Sequence, residues 1–176
     1  MTTRIIIIGF LIVMASWQNH LQAQEQDSIL YSNTSFEDLL DVVKHATLSF
    51  DLPDDSFLRT SDPKVLISKK WTSKVAYRVT PIGFAQMIPT FQEKYVITSD
   101  RELLGQEQVT LHGRKGFVSK FRELQESGDH YIVWVVIFGD EKITFSASAT
   151  YPEFHDEALE SSYFQMMKNV DLDLGQ

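Results

Sequence analysis

The sequence predicts an α+β domain, an antiparallel β-sheet with helices packed on its faces, and three observations predict it. Residues 106–149 hold four strand-like runs joined by short turns rich in glycine and aspartate, which reads as an antiparallel meander. The third run, Tyr-Ile-Val-Trp-Val-Val-Ile-Phe at 131–138, is apolar on both faces, so both sides of its sheet need a cover. Stripes at helical spacing before and after the meander supply candidates for that cover.

From the N-terminus, Arg4 precedes an apolar run at 5–15 broken only by Gly9, and a more polar stretch ends at the small residue Ala23. This is the layout of a secretory signal peptide. Its apolar core is well short of the roughly 20 residues a spanning helix needs. Cleavage after Ala23 is expected, with an uncleaved anchor as the alternative. Residues 1–23 are thus read as signal peptide, 24–34 as a flexible leader and 35–174 as one α+β domain. The expected location is secreted or periplasmic, with no stable membrane span after cleavage.

Removing 23 of the 176 residues leaves 153, enough to bury a core without covalent staples. The absence of cysteine excludes disulfides, thiolate metal sites and lipid-modified cysteine. Arg4 is the one charged residue of the segment removed, so the net charge moves from −8 to −9. An acidic chain with no long basic run suits neither nucleic acid nor anionic lipid.

Phe36, Leu39, Leu40 and Val43 recur at the spacing of one helical face, and Ser35 with Asp38 resembles a capping box, so 36–45 is predicted helical. Leu48, Phe50 and Leu52 alternate with polar residues up to Pro53, which is strand period. Residues 54–64 read as a turn-rich loop. Runs 65–68 and 74–80 read as strands with Trp71 near the turn between them. A second helical stripe, Phe84, Met87, Ile88, Phe91 and Tyr95, contains Pro89, where the helix either kinks or begins. A short strand is expected at 95–98.

The meander follows as strands at 106–112 and 117–124 about a turn at 113–116, then 131–138, then the alternating Ile143, Phe145, Ala147 and Ala149. After Pro152, the stripe Ala158, Leu159, Tyr163, Met166, Met167 and Val170 predicts a last helix. Asp156 and Glu157 at its start and Lys168 near its end suit the helix dipole. That helix should cover one face of the sheet, with 36–45 and 84–94 available for the other.

Leu48-Ser-Phe-Asp-Leu-Pro53, Val79-Thr-Pro-Ile-Gly-Phe84 with its following helix, Gly113-Arg-Lys-Gly116 inside a hairpin, and Thr150-Tyr-Pro152 leading into the terminal helix together resemble the PsbP-like fold. That fold is found in the photosystem II accessory protein PsbP and in bacterial exported proteins such as DcrB. The resemblance spans most of residues 46–172, and the helix at 36–45 is additional to it. It implies a helix–sheet–helix sandwich used as a binding or assembly-assisting module, with no cofactor, and it transfers no catalytic residue.

Candidate chemistry is sparse. His45, His112, His130 and His155 show no metal-ligand spacing. His112 and His130 would approach each other only if the hairpins stack, and turn or end-of-element histidines are the plainer reading. No G-x-S-x-G elbow is present, and the serines beside acids look like turn chemistry. Arg114 and Lys115, flanked by glycines, could present an anion site, although a hairpin turn with solvated basic tips explains them more simply. Met87 and Phe91 with neighbouring sheet aromatics could line a groove for a partner helix or an apolar ligand. The candidate groove is therefore Met87, Phe91, Arg114 and Lys115. The expected function is a non-enzymatic, exported envelope module acting through a protein partner. A carrier of a small apolar ligand or lipid is the alternative, and a hydrolase with an unrecognised site ranks last.

Overall fold

A computed structural model describes residues 35–95 and 100–175. In chain order the elements are α1 (Phe36–His45), β1 (Thr47–Ser49), β2 (Phe57–Arg59), β3 (Val65–Ser68), β4 (Ser73–Thr80), α2 (Phe84–Tyr95), β5 (Arg101–Leu111), β6 (Arg114–Leu124), β7 (His130–Gly139), β8 (Thr144–Pro152), a 3₁₀ turn (Glu153–His155), α3 (Asp156–Lys168) and β9 (Asp171–Asp173).

Seven strands form one antiparallel sheet in the order β2-β3-β4-β8-β7-β6-β5. The chain lays down β2 to β4, crosses to the far edge through α2, and meanders back from β5 to β8, which closes on β4 through pairs from Lys74–Thr150 to Thr80–Thr144. The expected sandwich is present. On one face, Val118, Trp134, Val136, Phe145, Ala147 and Tyr151 pack with Leu159, Tyr163, Met166 and Met167 of α3. On the other, Phe117, Phe121, Val133, Val135 and Ile137 are buried, and the Phe84 and Phe91 rings of α2 stand 6.1 and 5.1 Å from that of Phe117. At roughly 1.5–3 kcal/mol for each large apolar side chain, burial of β7 alone contributes upwards of ~10 kcal/mol gross. The interior position of β7, between β6 and β8, follows from that quantity.

Several elements differ from expectation. The helix at 36–45 was a candidate cover for the α2 face, but α1 joins the core on the α3 face: Leu39 belongs to the cluster built around Tyr151 and Tyr163. The tie is β1, which pairs with β9 just after α3, Leu48 opposite Leu172. β1 ends at Ser49, so Phe50 and Leu52 pack against the core without entering a ladder. Within the stretch read as a loop, Phe57–Arg59 forms β2 and buries Phe57. Turn chemistry flanks it on both sides, where Asp54 Oδ1 accepts from the Ser56 N–H and Asp62 Oδ1 from the Lys64 N–H, each at 2.9 Å.

α2 starts at Phe84 and runs through Pro89 to Tyr95. The missing proline N–H leaves the Ala85 carbonyl without its helical partner, on an exposed turn where water can serve it. Tyr95 ends this helix, and residues 96–98 of the expected strand lie outside the described residues. The turn placed at 113–116 is a two-residue turn, His112-Gly113, both at positive φ (50° and 74°), the geometry that matches hairpin twist and favours glycine second. Arg114 and Lys115 therefore begin β6.

Candidate functional site

α3 packs on β6, β7 and β8 and reaches the edge strand β5 through the Lys168–Glu107 ion pair. The space left between helix and edge is a trough of about 280 Å³, lined by Leu104, Gly105, Gln106, Glu107, Val118, Lys120, Trp134, Glu160 and Phe164. A β-bulge between Leu103 and Gly105 shifts the β5 register beside it. The floor comes from β6 and β7, where Lys120 pairs with Trp134 across the strands and shares a face with Val118.

Lys120 is buried among apolar neighbours, and its charge is met from the helix above. Its Nζ donates to Asp156 Oδ2 at 2.7 Å and Glu160 Oε1 at 2.6 Å, two carboxylates one turn apart at the start of α3. The network continues: Trp134 Nε1–H donates to the Tyr151 hydroxyl at 3.0 Å, which donates to Asp156 Oδ1 at 2.8 Å. Burial pulls the Lys120 ammonium down, and the hydrogen bonds and charges of Asp156 and Glu160 more than reverse it, leaving its pKa above the ordinary lysine value. Burial pushes the Tyr151 phenol far up. The ammonium also lies 5.5 Å from the Trp134 ring centroid.

Aromatic and ionic contacts finish the walls. The Phe164 ring stands 5.7 Å from Trp134, and Lys168 Nζ lies 4.8 Å over Phe164 while bonding Glu107 Oε1 at 2.5 Å, a link from helix to edge strand. Arg122 joins Glu102 of β5 to Glu153 of the 3₁₀ turn. This arrangement holds fixed charges against aromatic faces.

The residues of the candidate groove are not brought together as one surface. Phe91 is buried against Phe117, and Met87 is half-buried on the same helix. Arg114 and Lys115 are strand neighbours and so point to opposite faces. Arg114 Nε bonds Asp140 Oδ2 at 3.0 Å and its guanidinium lies 5.5 Å from the Phe145 ring, on the α3 side. His112 Nε2 is 2.9 Å from the Val170 carbonyl, whereas His130 pairs with Leu124 at the far end of β6. An eleven-residue strand separates those histidines, roughly 30 Å, so they do not meet. Among the described residues, no group of three His, Cys, Asp or Glu side chains is placed to hold a metal, and no helix is long and apolar enough to cross a membrane.

Lys120, Trp134, Asp156 and Glu160 went unrecognised in the sequence reading. The available signal was a lysine on the apolar face of an interior strand, followed by an acidic i, i+4 pair at the head of the last helix.

These features define a helix-covered antiparallel sheet of PsbP-like architecture with a charged trough beside one edge. Among solved structures it is similar to LpqN of Mycobacterium tuberculosis, a protein involved in cell envelope biogenesis, with 12% identity and a TM-score of 0.56 over 72% of this chain and 83% of LpqN. PA94 of Pseudomonas aeruginosa, a protein of unknown function, aligns at 14% identity and a TM-score of 0.46 over 70% of this chain and 80% of its own. PsbP of the cyanobacterium Synechocystis sp. PCC 6803 aligns at 10% identity and a TM-score of 0.47 over 73% and 93%. At such identities likeness shows the fold alone. No protein-family model matches the chain, and no curated protein matches it in sequence.

Proposed function

We propose that this chain is an exported, non-enzymatic module of the cell envelope that works by binding a protein partner at the trough. The observation that carries the reading is Lys120. A lysine that attacks a carbonyl or abstracts a proton must first lose its own, and this one is clamped in its charged form by Asp156 and Glu160. The trough, about 280 Å³, lies beside the edge strand β5. It suits a side chain presented by another protein. The envelope setting is supported by the signal-like pattern of residues 1–23 and by the involvement of LpqN in cell envelope biogenesis.

The test places a photo-crosslinking amino acid at Leu104, on the trough wall, in the protein expressed in its own envelope. One defined envelope protein should crosslink there, and N-terminal sequencing of the recovered chain should begin at Gln24. No crosslink, or a chain retained in the cytosol with residues 1–23, overturns the reading. The carrier alternative is favoured by the apolar wall of Leu104, Val118, Trp134 and Phe164. A lipid mass bound in native mass spectrometry would put that alternative first.

A further inference from the structure

The two edges of the sheet are unlike. β2, at one end, has three residues, while β5 has eleven, with 104–108 exposed in succession. An edge strand directs alternate N–H and C=O groups outward, ready to pair with another chain. Beside this edge lies the trough, and at Gly105 its wall carries no side chain: a Cβ there would meet nothing within 4 Å.

Charge selects the occupant. Two ion pairs flank the trough with the carboxylate as the more exposed partner, Glu160 57% against Lys120 10% and Glu107 48% against Lys168 31%, and beyond them Arg122 at 41% lies between Glu102 at 63% and Glu153 at 34%. At the two flanking pairs the cation sits inward, and across these contacts five carboxylates, Glu102, Glu107, Glu153, Asp156 and Glu160, meet three cations, Lys120, Arg122 and Lys168, on a chain of net charge −8. Such a rim repels a second copy of itself and attracts a cationic segment.

We propose that β5 accepts an extended, lysine- or arginine-bearing segment of a partner protein as an added strand, with one apolar side chain seated at Gly105 between Leu104, Trp134 and Phe164. This rests on the partner-binding reading and gives the partner its chemistry. Main-chain hydrogen bonds to the regular run 106–111 supply affinity, and the trough selects the side chain.

The probe is a fluorescein-labelled decapeptide alternating lysine and valine, titrated into the full chain and followed by anisotropy. Saturable one-to-one binding is expected, weakened about tenfold by Gly105→Leu, whose side chain fills the trough from within, and about as much by the double variant Glu107→Lys, Glu160→Lys. The same peptide with glutamate for lysine should not bind. Because Gly105 has open space before it, Gly105→Leu should melt at the wild-type temperature, which separates a blocked trough from a damaged fold. Binding that ignores Gly105→Leu, equal binding of the acidic peptide, or no saturation at all overturns strand addition. If the peptide fails while the Leu104 crosslink persists, the partner reading stands and only strand addition is lost. If both fail, both are lost.

Discussion

The two faces of the sheet are closed by different chemistry. Under α2, β6 and β7 present Phe117, Phe121, Val133, Val135 and Ile137, and the buried polar side chains described there are two hydroxyls, Ser119 and Thr144. Under α3 the core includes a lysine, two phenols and an indole N–H: Trp134, Tyr151, Asp156, Lys120 and Glu160 form one hydrogen-bonded chain, and the Tyr163 hydroxyl pairs with Ser73. An apolar face is finished by packing. A face carrying charges has to arrange partners for them, and here the partners come from the first turns of α3, with residues 104–108 of β5 left exposed. The trough thus lies where the apolar cover ends.

The comparison breaks most severely if the α2 face tolerates charge. Val135 is buried between Ser119 of β6 and Ser148 of β8, so Val135→Asp buries a carboxylate with two hydroxyls and no cation as its cross-strand neighbours. An uncompensated buried charge costs roughly 3–5 kcal/mol, against a net stability of about 5–15 kcal/mol for a domain. Loss of soluble protein is the expected outcome. A soluble variant with a cooperative melt at the wild-type temperature would show that β7 does not lie in the core.

How far each face was legible follows from the range of the interactions that build it. β7 and β8 were readable because their signals are local. One run is apolar throughout, and the other alternates, sending Phe145, Ala147, Ala149 and Tyr151 inward. The stripe Leu159, Tyr163, Met166 and Met167 marked α3 in the same way. β2 and β9 were not readable, since three residues carry no period and each exists only through its partner. The trough was hidden for a related reason. Lys120 meets Asp156 and Glu160 across 36 and 40 residues of chain, so no spacing joins them. The pair Arg114–Lys115 misled in the opposite direction: adjacency in sequence suggested one surface, and the strand sends them to two.

Titration sharpens the contrast, because ionisable groups are buried on the α3 face. Burial holds the Tyr163 phenol up at about 12, with its hydroxyl 2.5 Å from Ser73 Oγ. In the unfolded chain a tyrosine ionises near 10. A raised native value favours the protonated form, so the full stabilisation is present below about pH 10 and is lost as pH rises toward 12. Two units correspond to about 2–3 kcal/mol. Urea unfolding repeated between about pH 9 and 11.5 should show this decline, and Tyr163→Phe should make it shallower, the raised Tyr151 phenol keeping the remainder. Hydrogen exchange in that interval should lose protection in α3 before α2. Simultaneous loss in both helices would mean that the faces do not differ in this respect.

Lys120→Met gives a smaller effect. The aliphatic stem stays under Trp134 and the charge goes, while Asp156 keeps the Tyr151 hydroxyl and Glu160, more than half exposed, turns to water. A cost of about 1–2 kcal/mol in urea unfolding is expected for the lost charge-assisted bonds. A variant that fails to fold would make Lys120 a structural keystone and not a tolerated charge.

The smallest effect falls on the glycine at the open edge, and the contrast with its neighbour strand explains why. At Gly116 on β6 a methyl group would press on the Ile137 carbonyl and come within 2.5 Å of Phe138 Cβ, so that strand is packed to the backbone. At Gly105 on β5 the same methyl meets nothing. Gly105→Ala should therefore leave the midpoint within about 0.5 kcal/mol of wild type, with a slight gain if the lost backbone freedom of the unfolded chain is felt. A loss of more than about 1 kcal/mol would place packed atoms in front of Gly105, and the trough could not then admit a partner's side chain at that position.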